Sequence, residues 1–173
     1  MIWSYDYMGM NAMMPLYFNI INDENKRLAQ LKYIMSHSFE NVEEGSYYPE
    51  VLWKHGLNQQ AMTAWLHMTE PTLSRREYPE VSFTAIGAFL TGFMGLHPDA
   101  SKSALYTSSA VPDGMWAQVE GLPLWGGSIS VIHKGSSFSE VMNRTGRSLN
   151  WYPSGTKVTI IIPSGMSSTY ERT

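Results

Sequence analysis

Two glutamates occupy equivalent positions in a repeated tetrapeptide, Tyr-Pro-Glu-Val. The copies are residues 48–51 and 78–81, so Glu50 and Glu80 stand thirty residues apart. Two carboxyl groups placed across a glycosidic bond can act as a general acid and as a base or nucleophile. The sequence therefore offers Glu50 and Glu80 as candidate catalytic residues, on the condition that the fold brings them together.

Each copy of the repeat also has the composition of a helix start. Proline suits the first helical turn because its missing N–H would be unpaired there, and glutamate complements the positive end of the helix dipole. We therefore predict two helix entrances at the same end of an array of helical hairpins. The alternative is that Pro-Glu simply starts helices well. Under that alternative both glutamates are structural, bonded to backbone N–H groups or to Arg75 or Arg76.

Aromatic and charged side chains lie close to both glutamates in the sequence. Aromatic rings can stack on the C–H faces of pyranose rings, and a few polar groups can fix the orientation of the ligand. This pattern predicts a carbohydrate as the binding partner. The candidate substrate-binding residues are Tyr47, Tyr48, Trp53, Arg75, Arg76, Glu77 and Tyr78.

The composition restricts the other classes of function. The 173 residues fit one domain or a domain with a small appendix, and 43% apolar residues suffice for a core. A net charge of −3 gives no reason to expect nucleic acid or an anionic membrane as partner. The absence of cysteine excludes thiolate catalysis and zinc sites built on cysteine. The five histidines lack metal-ligand spacing, so we predict neither a metal nor another cofactor.

Nothing in the sequence predicts a membrane span. The N-terminus lacks the basic region of a signal peptide. The most apolar stretch, residues 85–96, is too short to cross a bilayer and contains three glycines. A buried helix is the expected structure there.

The hydrophobic pattern divides the chain into two parts. Residues 1–98 are predicted to form helical hairpins, with helices over 8–21 and 79–95 and three shorter ones between them. Residues 103–163 change to a strand period, with glycine-containing turns, and are predicted to form a small antiparallel β-sandwich-like domain. Residues 164–173 are predicted to be a polar, frayed tail.

Three segments carry a resemblance to a known family. They are Tyr47–Leu57, Arg75–Phe83 and Gly92–Ala100, and Gly127–His133 adds a β segment. Together they resemble the C-terminal part of bacterial six-hairpin glycosidase-like proteins, including their α-rhamnosidase-like relatives. The resemblance covers nearly the whole chain.

The resemblance implies an (α/α)6 toroid, hydrolysis of glycosidic bonds in complex polysaccharides, and no cofactor. It suggests a bacterial and exported protein, and it assigns no catalytic residue. The chain departs from the family because it offers far fewer helices than six hairpins need. The fold class predicted is therefore mainly α-helical hairpins, a partial α/α toroid, followed by the small β domain.

Three functions remain open at this point. The chain is expected to be the C-terminal portion of a glycoside hydrolase, inactive or weakly active alone. The alternatives are a carbohydrate-binding module and an assembly protein that uses the toroid remnant as an oligomer interface. Uncovered apolar helix faces predict either a homo-oligomer or a partner chain that supplies the missing N-terminal part of the toroid.

Overall fold

The computed structural model describes residues 9–39, 41–154 and 156–172, with side chains from residue 12 onward. The chain divides into two compact units, Met1–Phe89 and Leu90–Thr173. The predicted start of the first helix at Met8 lies outside the described residues. The two units are called the first and second unit below.

Among its described residues, the first unit contains five short helices. They are α1 (Gly9–Tyr17), α2 (Glu24–Met35), α3 (Tyr48–Lys54), α4 (Asn58–Met68) and α5 (Pro79–Gly87). After α5 the helix continues with wider, π-type turns over Ala88–Phe93. Such turns are rare and often stand at functional sites.

Local sequence explains where these helices begin. Asp23 caps α2 by accepting a hydrogen bond from the Lys26 backbone N–H at 3.0 Å. Both copies of the tetrapeptide start a helix, with Pro49 and Pro79 in the first turn. The prediction of two Pro-Glu helix entrances is confirmed.

The core of the first unit lies between the helices. The helices α1, α2 and α3 contribute the fully buried side chains Met13, Leu16, Ile34, Val51 and Leu52. A further cluster joins α4 to α5 through Met68, Val81 and Ala85, with Val42 and Trp65 packed against it. The loop that contains Val42 is therefore fixed to the helices.

In the second unit, the residues that the structure describes form eight strands in two four-stranded sheets. The strands are β1 (Leu96–Asp99), β2 (Ala104–Thr107), β3 (Trp116–Leu124), β4 (Gly127–Lys134), β5 (Phe138–Arg144), β6 (Leu149–Pro153), β7 (Ile160–Ile162) and β8 (Ser167–Glu171). One sheet has the order β1-β2-β6-β7 and the other β3-β4-β5-β8. All pairs are antiparallel except β2–β6, which is parallel.

Alternating burial along the strands builds the core of this unit. Ile129, Val131 and His133 are the buried positions of β4, and Leu149 and Trp151 lie on the buried face of β6. A period of two is what a strand with one solvated face requires. The same alternation made most of these strands recognisable in the sequence.

Two polar side chains are buried in this core with their hydrogen bonds made. His133 is fully buried, with Nδ1 2.7 Å from the Ser139 hydroxyl and Nε2 3.0 Å from the Met94 carbonyl oxygen. The side chain of Asn143 donates to the Arg147 and Ile162 carbonyl oxygens, both at 2.8 Å. Both hydrogens of the Asn143 side-chain amide are thus engaged in hydrogen bonds within the core. The tripeptide Asn143-Arg144-Thr145 matches a glycosylation acceptor, but this amide is already bonded to the protein.

The predicted fold class is wrong. The helices are few and short, and the strands in two sheets make this a mixed α/β fold, not mainly helical hairpins. The error arose because strand structure extends beyond both ends of the predicted β segment, residues 103–163. It begins at Leu96 and continues to Glu171.

Both missed strands lie at the edges of their sheets. β1 contains Pro98, which suggested a break, but an edge strand has an unpaired side that needs no N–H donor. β8 was predicted as a frayed polar tail, yet it pairs with β5 over five residues from Ser167 to Glu171. A polar edge strand gives little apolar signal because few of its side chains are buried.

In the part of the chain that the structure describes, no helix has the length and apolar character that a membrane crossing requires.

Candidate functional site

Glu50 lies in the first turn of α3 and is buried, with 6% of the residue exposed. One turn later on the same helix, the Lys54 ammonium nitrogen lies 3.0 Å from Glu50 Oε1. The same ammonium donates to the Tyr17 carbonyl oxygen at 3.1 Å and lies 3.9 Å from the centre of the Tyr17 ring. Glu50 is therefore an ion-paired carboxylate at the junction of α1 and α3.

Tyr17 adds a phenol to this junction. Burial, then the negative charge of Glu50 and a further contribution from Tyr47, raise the pKa of the Tyr17 hydroxyl, which also hydrogen-bonds to Glu50. The Tyr17 and Tyr47 rings meet edge to face with 4.9 Å between their centres. Tyr47, a predicted sugar-binding residue, thus packs against the partners of Glu50.

Glu80 has different surroundings. It lies in the first turn of α5, is half-buried, and its carboxylate makes no hydrogen bond or ion pair with any residue that the structure describes. The alternative bonds to the two arginines are not formed. Arg75 pairs instead with Glu43, and Arg76 Nη1 donates to the Ser82 hydroxyl at 3.2 Å.

The two glutamates do not lie at the same end of the helices. Glu50 Oε2 is 3.9 Å from the position that a Cβ would take on Gly87, the last residue of α5. Glu80 is the second residue of α5, about 10 Å away along the helix axis at 1.5 Å per residue. The prediction of a shared end is therefore wrong, because the start of α3 lies beside the end of α5.

The other residues that the sequence predicted to bind substrate do not lie together in one site. Trp53 belongs to the buried core of the first unit, with 6% of the residue exposed. Tyr78 is 39% exposed, and the Arg75 guanidinium carbon lies 4.7 Å from the centre of its ring. Glu77 is exposed. Tyr48 is the one predicted site residue that lines the cleft described next.

A cleft of about 870 Å³ opens in the first unit, between the loop that precedes α3, the helix α4 and the loop around residue 74. This volume falls within the range of sites that bind small molecules. The residues that matter most for recognition are Phe39, Asn41, Tyr48, Gln59, Gln60 and Thr63.

One wall of the cleft is aromatic and apolar. The Phe39 and Tyr48 rings meet at 58° with 5.2 Å between their centres. Tyr48 is half-buried, and burial raises the pKa of its hydroxyl, so the phenol stays neutral at ordinary pH. Val42 and Met68 extend this wall. Such a surface suits the C–H face of a ligand ring.

The cleft is also lined by amide groups. Asn41 Oδ1 accepts the Glu44 backbone N–H at 3.1 Å, which leaves the NH2 group of Asn41 for a ligand. Gln59 and Gln60 are exposed on α4, and within the described ranges their side-chain amides have no partner. Three amides thus offer donors and acceptors in the same cleft as the aromatic rings.

Sequence reasoning missed most of this cleft. Phe39, Asn41, Gln59 and Gln60 form no motif, because uncharged amides and a phenylalanine have no diagnostic spacing. The available signal was the pair Gln59-Gln60 on the polar side of α4, next in space to a loop already rich in tyrosine. Only the packing of Val42 against α4 and α5 could have placed that loop beside them.

Among the residues that the structure describes, no group of three or more histidine, aspartate or glutamate side chains is arranged to hold a metal ion.

Comparisons with known proteins inform the fold. No family model matches the sequence, and no curated protein matches it. Among solved structures, a protein that carries the name kojibiose phosphorylase, from the human microbiome, has a similar fold with a TM-score of 0.66 and 14% identity. The match covers 98% of this chain and 25% of that one, so this chain spans about a quarter of its length. The similarity shows a shared fold.

Proposed function

We propose that the chain is a carbohydrate-binding segment of a glycoside-processing protein and that the cleft of the first unit is its binding site. The observation that carries this proposal is that two aromatic rings, Phe39 and Tyr48, line the same cleft as three side-chain amides. Aromatic rings with a few convergent polar groups are the usual composition of a small-molecule site. This corresponds to the carbohydrate-binding alternative considered from the sequence.

The wider setting is also a proposal. The similar solved structure bears the name of a phosphorylase that acts on a disaccharide, and it is about four times as long as the matched segment. This supports a role for the chain as one portion of a longer glycoside-processing protein. We propose that it is the C-terminal portion and that the protein acts on complex carbohydrate, as the resemblance of the sequence implies. Alone, the chain is proposed to be inactive or weakly active.

Catalysis by Glu50 and Glu80 fits the geometry poorly. Glycosidases place two carboxyl groups about 5–10 Å apart on either side of one bond. Here Glu50 is buried and ion-paired to Lys54, and Glu80 starts the helix at whose far end Glu50 lies. Neither glutamate lines the cleft. We therefore propose that binding, and not bond cleavage, is the contribution of this chain.

The test is a binding titration of the full chain with neutral oligosaccharides, including kojibiose, maltotriose and cellotriose, followed by NMR. Amide signals around the cleft are expected to shift and to saturate. Gln60→Ala should weaken binding about 3–10-fold, the value of one neutral hydrogen bond. Gln118→Ala is the matched control, since Gln118 is an exposed glutamine of the second unit. No binding by any sugar, or equal loss in both variants, would contradict the proposal.

An assembly role remains a second candidate because of one feature. Phe83 and Ile86 stand one turn apart on α5 and are 73% and 59% exposed, and Leu66 of α4 is 57% exposed. Large exposed apolar side chains favour association. We propose a second copy of the chain as the partner of these side chains.

A further inference from the structure

We infer that the cleft accepts uncharged glycans and excludes glycans that carry carboxylate groups. This inference rests on the proposed function and names the class of ligand for the same site. It follows from the charges that the described residues do and do not bring to the cleft.

The described lining contains neither lysine nor arginine, and neither aspartate nor glutamate. Its polar groups are amides, hydroxyls and two imidazoles, those of His37 and His67. A carboxylate that enters such a site loses water and gains no cation in return. Neutral hydroxyl groups lose less hydration free energy than a carboxylate when they enter the cleft. The amides of the cleft can replace the hydrogen bonds that these hydroxyls made to water.

Two charged residues of the described parts of the adjoining loops are engaged with each other. Arg75 follows the lining residue Ser74, but its guanidinium pairs with Glu43 and lies over the Tyr78 ring. Glu43 lies on the same loop that supplies Asn41 and Val42, and its charge is balanced by this pair. Arg75 is thus already paired with a protein carboxylate and is poorly suited to bind a second one.

The partners of the two imidazoles also favour a neutral ligand over a carboxylate. His37 Nδ1 lies 2.8 Å from the Tyr33 carbonyl oxygen, and since a carbonyl only accepts, this nitrogen carries the proton. Nε2 of the neutral ring is then an acceptor, which suits a sugar hydroxyl. His67 has the Glu70 carboxylate 3.9 Å from its Nδ1, so a negative charge already stands beside it.

The experiment compares each neutral oligosaccharide that binds with its C6-carboxylated form of the same linkage. Titrations of the full chain are run at pH 8, where an ordinary imidazole is neutral. The carboxylated form should bind at least tenfold more weakly than the neutral one. Gln60→Lys places a cation at the cleft and should recover several-fold of that loss, whereas Gln118→Lys on the second unit should change nothing.

The outcomes are separable. Equal or tighter binding of the carboxylated sugars would overturn the inference and leave the proposed function standing. A Gln60→Lys variant that fails to improve binding of the carboxylated form would also count against it, because the missing cation is the stated cause. If no neutral sugar binds, the proposed function fails and the inference fails with it.

Discussion

Glu50 and Lys54 form a partly buried ion pair across one turn of α3, with 3.0 Å between Glu50 Oε1 and the Lys54 ammonium nitrogen. The Glu50 side chain is 8% exposed and that of Lys54 is 32% exposed. The carboxylate therefore depends on its partners for the interactions that water would otherwise provide. This relationship assigns Glu50 to the stability of the first unit.

Glu50→Gln should lower the free energy of unfolding by about 1–3 kcal/mol. This lies at or below the usual cost of breaking a buried pair, because Lys54 can reach water. The matched control is Glu24→Gln, which removes the exposed pair between Glu24 and Arg27 and should cost about 0.5 kcal/mol or less. Urea denaturation measures both values. Equal losses of unfolding free energy in the two variants would mean that the burial of Glu50 does not increase the contribution of its ion pair to stability.

Two glycines should respond in opposite directions to alanine. A Cβ on Gly87 would meet Glu50 Oε2 at 3.9 Å, an ordinary contact, so Gly87→Ala should stabilise by about 0.5–1 kcal/mol through helix propensity. Gly95 has φ +57° and a Cβ there would lie 1.9 Å from the Ser108 carbonyl oxygen. Gly95→Ala should therefore destabilise the second unit strongly. Thermal melts that moved the same way for both would refute this.

Asn143 should be one of the most sensitive polar positions in the second unit. Asn143→Ala removes the bonds that its side chain makes to the Arg147 and Ile162 carbonyl oxygens and to the Thr145 backbone N–H. The Arg147 carbonyl oxygen keeps the bond from the Thr145 hydroxyl at 3.2 Å. The expected loss is about 3 kcal/mol or more, since each buried unsatisfied group costs about 1–3 kcal/mol. Asn150→Ala, which removes one exposed bond to the Lys102 carbonyl oxygen, should cost about 1 kcal/mol or less. Denaturant unfolding compares the two variants.

His133 should make the second unit sensitive to acid. Burial lowers the pKa of His133 below its ordinary value of 6.5, although the Met94 carbonyl opposes this shift. Below pH 6.5 the unfolded chain therefore binds a proton that the folded chain does not, and stability falls as the pH falls. The slope from this group can approach about 1.4 kcal/mol per pH unit.

The comparison that isolates this effect is His133→Gln against the wild-type chain. The variant should flatten the loss of stability between pH 6.5 and 5. The pKa of His55 is also lowered, by burial and then by Arg27, so a residual slope should remain in the variant. An unaltered slope after His133→Gln would exclude this histidine as the sensor.

The exposed apolar side chains of Phe83, Ile86 and Leu66 should drive self-association. Sedimentation at micromolar concentration is expected to show species larger than a monomer. Phe83→Ser with Ile86→Ser should return the chain to a monomer, because these two side chains are the most exposed of the three. Ile161→Ser in the second unit is the control, since Ile161 is also 65% exposed. A wild-type chain that stays monomeric would remove this prediction.

Local signals in the sequence were sufficient for the helix starts and for most strands. Each helix start is set by a residue in or next to the first helical turn, namely Asp23, Pro49 or Pro79. The effect of such a residue on the helix start is local and does not depend on the rest of the fold. The alternation in β4 and β5 is likewise a local consequence of one buried face. The edge strands β1 and β8 were not predicted, because whether these residues form a strand depends on which strand lies beside them.

The site was harder to predict for a related reason. The repeat correctly gave two helix entrances, but their relative direction depends on how α3 packs beside α5. Glu50 consequently lies near Gly87 and not near Glu80. The cleft joins residues from a loop and from α4, and the contact of Val42 with Met68 that unites them leaves no pattern along the chain.

The parallel pairing of β2 with β6 has a consequence for the order in which the second unit folds. Ala104 pairs with Asn150, so the more than forty residues between them must be synthesised, and must form a loop that returns β6 to β2, before these two strands can pair. β3, β4 and β5 are joined by short turns and can pair as they emerge. The rate-limiting event is thus expected to be closure of the long loop around a preformed three-stranded meander, since distant pairings are slow to form.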